Sequence, residues 1–231
     1  MFGLDEWIAG ISDEGSIVLV VVVAVLLGLR HATDPDHLAA VSTLVVSGRQ
    51  RATRAAARLG AAWGLGHAVT LVAFGVPILL AERYLPDLVQ RGAETTVAAL
   101  IAFLALRLLV RWRHGAFATT RVGEHEHVHR ARTPAGAFGI GLVHGMGGSA
   151  GVGVLLLAAV PSRTLALVAL VILAVFSAVS MTVVTTGFGA MLSVRRVAGT
   201  LATAAPALAL SSLAFGVWYA AAAWSLAPYP F

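Results

Sequence analysis

The sequence predicts an all-α, polytopic membrane protein. Three observations carry this: an apolar composition, six apolar blocks of spanning length, and connections that alternate in charge. Of 231 residues, 58% are hydrophobic and 12% charged, with a mean hydropathy of +0.87. A soluble domain carries about 25% charged residues. The formal net charge is +5, and all 16 basic residues are arginine. They gather between the apolar blocks, with no basic run interleaved with aromatics. That pattern speaks for membrane topology and against nucleic-acid binding. Cysteine is absent, which excludes disulfides, thiolate metal sites and cysteine nucleophiles.

A spanning helix needs about 20 mostly apolar residues. The expected spans are 16–46, 59–81, 95–112, 135–160, 164–192 and 200–224, within one membrane domain, 1–231. The first follows an acidic segment holding Asp5, Glu6, Asp13 and Glu14. A cleaved signal peptide starts basic, so an uncleaved span is expected. Pro35 lies inside this span, where a missing N–H and a ring clash predict a kink or break. The second, third and fourth spans follow as apolar blocks bounded by arginines. The fifth carries hydroxyls and Met181 in "FSAVSMTVVTTGFG" (Phe176–Gly189) without charge, which reads as helix packing. The sixth is alanine-rich.

The connections fix an orientation. Arg49, Arg51, Arg54 and Arg58 lie in the first; Arg111, Arg113, Arg121, Arg130 and Arg132 lie in or beside the 113–134 loop; Arg195 and Arg196 lie before the last span. The opposite side holds only Arg83, Arg91 and Arg163. The positive-inside rule places the Arg-rich loops in the cytoplasm and both termini outside, in the plasma or inner membrane. "GLRH" (Gly28–His31) in the first span is echoed by "GLVH" (Gly141–His144) in the fourth. With three spans between them, the echo suggests a 3+3 inverted repeat, a transporter architecture.

One stretch concentrates the chemistry. After "SIVLVVVVAVLLG" comes "LRHATDPDHLAAV", with Arg30, His31, Asp34, Asp36 and His37. A charged residue at a span centre costs roughly 2.5–3.5 kcal/mol, so such clusters mark substrate paths. On a regular helix at about 100° per residue, His31, Asp34 and His37 share a face roughly 120° wide, while Asp36 points elsewhere. Arg30 reaches Asp34 at i,i+4. Two imidazoles around a carboxylate suit a first-row divalent metal. The His31 carbonyl, freed by Pro35, would be a further donor. His67 in "GLGHAVT" and His144 in "GLVHGMGGSAG" sit, like His37, about nine residues from the cytoplasmic ends, or roughly 13 Å deep. Matched depth lets them converge, and the surrounding glycines allow close helix approach. The expected metal residues are therefore His31, Asp34, Asp36, His37, His67 and His144, with Asp36 as an orienting partner or proton relay. "GEHEHVHR" places His125, His127 and His129 in the cytoplasmic loop, where such a tract either binds metal or is simply solvated.

"RHATDPDHLAAV" closely resembles the signature of the nickel/cobalt permeases: a histidine, four residues, then Asp-His. His31, Asp36 and His37 occupy its fixed positions. "GLGHAVTLV" resembles that family's second motif, with His67 matching. "GLVHGMGGSAG" resembles the six-helix branch known as urease-accessory or high-affinity nickel transport proteins. The larger members carry acidic residues in later spans; here the fifth and sixth blocks hold none. The resemblance implies transport of Ni²⁺ or Co²⁺, where spacing alone implies a divalent metal site.

The expected function is uptake of a divalent metal across the bilayer, with no prosthetic group. Efflux and a membrane-embedded metal-binding accessory role are the alternatives, and a cytoplasmic metallochaperone would be a natural partner. An intramembrane metalloenzyme needs an open metal position and a general base. No His-Glu-x-x-His motif occurs within the expected spans, the one match, His125–His129, lying in the loop tract, so no enzyme is expected. Binding needs neutral imidazoles, so affinity should fall below about pH 6.5.

Overall fold

The computed structural model describes residues 4–47, 53–81, 86–114, 133–147, 160, 162–193 and 195–228. The described residues form α1 (Leu4–His31), α2 (Pro35–Ser47), α3 (Thr53–Ala81), α4 (Asp87–Arg113), α5 (Pro134–His144), α6 (Arg163–Ser193) and α7 (Arg195–Ala223). The fold is all-α, as expected.

Four helices are long and apolar enough to cross a membrane, over Thr53–Ala81, Asp87–Arg113, Arg163–Met191 and Thr203–Ala223. The bent pair Ile17–His31 plus Pro35–Val41 passes the same test when taken together, which makes it a broken fifth span or a re-entrant loop. The block expected at 135–160 begins as α5, whose 11 residues are too short to span. Residues 148–159 lie outside the described residues, as do 115–132 with the His125, His127 and His129 tract.

The packing follows membrane logic. α6 presents Val168, Val171, Val175, Val179 and Val183 as an exposed stripe at helical spacing. Its inward side mixes small and large residues, with Ala166, Ala169 and Ala174 buried beside Leu170, Leu173 and Met181. Lipid is as apolar as leucine, so close contact of small residues and interhelical hydrogen bonds hold such bundles. α3 lies along α6 on one side and α5 on another, while α4 pairs with α7 and α1 with α6. The Ser180 hydroxyl donates to the Leu29 carbonyl, tying α6 to the end of α1. Thr182, Thr185 and Thr186 donate to carbonyls of their own helix, a packing use of the hydroxyls in the fifth block.

The decisive local feature is the break between α1 and α2. The two halves meet at 43°. Pro35 has no N–H to continue α1, and it starts α2 instead. The Thr33 N–H turns back to the Arg30 carbonyl at 2.8 Å and the Asp34 N–H to the His31 carbonyl at 3.1 Å. The His31 carbonyl is therefore already engaged by the backbone, contrary to the expectation that Pro35 frees it. The Leu38 N–H then bonds the Asp34 carbonyl at 3.0 Å, so Asp34 caps α2 and Pro35 takes the first helical position, where a missing N–H is harmless. Regular helical phase ends at His31. Asp36 is consequently not turned away as a continuous helix requires; it is 0% exposed and faces the bundle interior.

Candidate metal centre

Four helices bring their polar residues to one buried region. His31 closes α1, Asp36 and His37 open α2, His67 sits midway along α3, and His144 closes α5. Asp36, His37, His67 and His144 are all fully buried.

Glycine sets the α3–α5 approach. A Cβ on Gly66 would run into the Phe138 carbonyl oxygen, and one on Gly141 into the Trp63 carbonyl oxygen. These backbones touch because neither position has a side chain, and the contact brings His67 and His144 beside the same space. The Thr70 hydroxyl, bonded to the Leu142 carbonyl at 2.9 Å, pins the pair. α5 is itself well defined: Thr133 caps it by accepting from the Gly136 N–H at 3.1 Å, and Pro134 follows the cap.

The side chains form a continuous set of contacts. His31 Nε2 lies 2.8 Å from His67 Nε2, so one ring donates and the other accepts. Asp36 Oδ1 lies 3.0 Å from His37 Nδ1. Asp36 Oδ2 lies 3.4 Å from His144 Nε2, an ion-pair distance without hydrogen-bond geometry. The His37 ring sits in the middle, its centroid 4.3 Å from His31, 5.0 Å from His67 and 4.4 Å from His144.

Two groups of three have ligand atoms within 4.8 Å of one another: His31, His37 and His67, and Asp36, His37 and His144. Imidazole nitrogen and carboxylate oxygen bind a first-row metal at about 2.0–2.2 Å, so donors of one ion lie up to about 4.4 Å apart. Small side-chain rotations close either group on a cation. Several buried atoms here have no hydrogen-bond partner: Asp36 Oδ2, His37 Nε2, His67 Nδ1 and both His144 nitrogens. Each such atom costs about 1–3 kcal/mol, and a cation would satisfy the acceptors among them. α1 and α5 both end here, and helix C-termini present partial negative charge that favours a cation. The positive N-terminal end of α2 is offset by Asp36 in its first turn.

The structure thus brings His31, Asp36, His37, His67 and His144 together. Asp34 stands at the edge, outside both groups of three. Its Oδ1 is 3.3 Å from Arg30 Nη2, the ion pair expected from i,i+4 spacing, and its Oδ2 is 3.3 Å from His31 Nδ1. A carboxylate behind a ligating histidine fixes its tautomer and orientation. The two aspartates have exchanged the positions expected on a regular helix, because the break re-phases everything after His31. Trp63 was not anticipated. Its ring lies 5.7 Å from His37 and 5.8 Å from His144 and walls the cluster. Its signal was the i,i+4 spacing from Trp63 to His67, which puts both on one face of α3.

Comparison with known proteins agrees with this chemistry. The family model for high-affinity nickel-transport proteins, NicO, matches residues 17–139, just over half the chain. That segment contains His31, Asp34, Asp36, His37 and His67; His144 lies beyond it. The urease accessory protein UreH of Bacillus sp. (strain TB-90) is 27% identical over 150 residues, covering 60% of this chain and 62% of that protein. The chain thus matches less than two thirds of the length of that curated relative. No solved structure matches. With nickel transport as the family's activity, a multi-pass membrane fold and no enzymatic role, this chain belongs to the NicO high-affinity nickel-transport family.

Proposed function

We propose that this chain is a permease that takes up Ni²⁺, with Co²⁺ as the alternative cargo, across the plasma or inner membrane through the cluster of His31, Asp36, His37, His67 and His144, backed by Asp34. The observation that carries this is the buried cluster itself. Several ionisable side chains from four helices share a small space deep in an apolar bundle, where only a substrate path repays their insertion. Imidazole-rich donors suit Ni²⁺ and Co²⁺ better than Mg²⁺ or Mn²⁺.

The wider architecture belongs to the same proposal. The chain forms one membrane domain, 1–231, with six crossings. The Arg-rich connections lie in the cytoplasm and both termini outside. The 3+3 inverted repeat gains support from one detail: "GLRH" and "GLVH" each end a helix, α1 at His31 and α5 at His144. Broken helices that meet at mid-membrane are how inverted-repeat transporters build ion sites. The relative's name favours a role in supplying nickel to a urease, with a cytoplasmic metallochaperone receiving the ion.

The test is flux of Ni²⁺, Co²⁺, Zn²⁺ and Mn²⁺ into proteoliposomes carrying the full chain. Ni²⁺ or Co²⁺ flux above that of Mn²⁺ is expected, and its loss in His37→Ala. No flux of any of these ions, with binding retained, would instead make the protein a membrane-embedded metal-binding accessory. Accumulation in cells with and without the gene separates uptake from efflux.

A further inference from the structure

The five converging side chains do not close on one point. Their ligand atoms fall into two groups of three that share a single member, His37. The outer rings, His67 and His144, lie 6.1 Å apart, farther than either lies from His37. The groups differ in chemistry. His31, His37 and His67 offer three nitrogens; Asp36, His37 and His144 offer two nitrogens and an oxygen. They also differ in origin. One takes its further members from α1 and α3, the other from α2 and α5, so they flank the break at Ala32–Asp34.

We propose that the cluster is two metal stations in series, with His37 passing the ion from one to the other. The inference rests on the metal-permease reading above and adds to it the number of stations and the residue that joins them. A neutral imidazole carries one lone pair, so His37 serves one ion at a time. The stations are occupied alternately, and one cation is handed across. Each station keeps two donors of its own, so the ion is never released into apolar surroundings while His37 changes partner. The sequence echo fits this division: "GLRH" supplies His31 to one station, "GLVH" supplies His144 to the other, and each histidine closes its helix. The 43° break lies between His31 and His37. Hinge motion there changes the spacing of the nitrogen-only station and leaves Asp36 and His37, both on α2, together. Alternation of the two stations is thereby coupled to a bend that already exists in the chain.

The experiment measures Ni²⁺ binding and Ni²⁺ flux on the same purified full-length proteins, with Co²⁺ absorption spectra reporting the donor set. Variants are His31→Gln, His67→Gln and His144→Gln, each paired with its alanine counterpart. Two stations predict that every single-station variant still binds about one ion per chain. In each, flux falls by on the order of tenfold or more, as expected for a broken coordination path. The Co²⁺ spectrum should divide the variants into two classes: loss of His31 or His67 leaves the carboxylate station, and loss of His144 leaves the nitrogen station. His37→Ala should lose binding outright. Retained binding shows that a variant is folded. The proposal is overturned if all three variants lose binding alike, or give one common spectrum, or keep wild-type flux. If the wild-type chain itself neither binds nor moves Ni²⁺, it is the permease reading that fails.

Discussion

Gly141→Ala tests whether the α3–α5 contact positions the metal ligands. A Cβ at Gly141 would sit 2.9 Å from the His67 nitrogen and 3.0 Å from the Trp63 carbonyl carbon, and nearer still to the Trp63 carbonyl oxygen. All three are backbone atoms and cannot rotate aside. Comfortable contact for such atoms is about 3.5–4.0 Å, so α5 must withdraw from α3 by at least about half an ångström. Overpacking of this kind costs typically 1–3 kcal/mol. The larger effect is on coordination, because metal–ligand distances tolerate about ±0.2 Å. His144, three residues on, moves with α5 away from Asp36 and His37. Ni²⁺ affinity should therefore fall by about 10–100-fold, the scale of lost ligand support. Gly139→Ala is the matched control, since a Cβ there meets nothing within 4 Å. Equilibrium dialysis of ⁶³Ni²⁺ with both variants in detergent gives the answer. Wild-type affinity in Gly141→Ala, or an equal loss in Gly139→Ala, would refute the reasoning.

Four further outcomes are expected. His37→Ala should abolish nickel accumulation in a metal-starved host while membrane insertion, followed by fractionation, persists; normal accumulation would remove the cluster from the path. Asp36→Asn keeps the volume but removes the charge 3.0 Å from His37 Nδ1, and should weaken Ni²⁺ binding in the same dialysis assay more than Asp34→Asn does. Acidification should lower affinity, since protons compete with the metal for imidazole lone pairs; a pH series of the dialysis checks the sign. Trp63→Ala deletes a side chain 1% exposed, and should cost about 3–5 kcal/mol, read as a lowered melting temperature in detergent.

Much of this was readable from the chain. Hydropathy located the helices because spanning length is fixed by bilayer thickness. α3, α4, α6 and α7 cover the expected second, third, fifth and sixth blocks. Depth counting drew His37, His67 and His144 together, because rise per residue is nearly constant across spans. What failed was angular. Placing His31, Asp34 and His37 on one face assumed one helix through Pro35. "TDPD" holds a stop-and-restart signal, an Asp cap followed by Pro and an acidic first turn. Read that way, it predicts a new helix at Pro35 and leaves Asp36 free to turn inward. An aromatic in a span is ordinary, and only its spacing to His67 distinguishes Trp63. The closeness of Gly66 and Gly141 depends on which helices are neighbours, which no local pattern specifies.

X-ray absorption at the nickel edge of the Ni²⁺-loaded full-length protein asks most directly whether the buried cluster holds the metal. Imidazole coordination is predicted, visible as its multiple-scattering pattern, present in wild type and lost together with bound nickel in His37→Ala. Nickel bound without imidazole, or an unchanged imidazole spectrum in His37→Ala, would place the ion elsewhere in the protein.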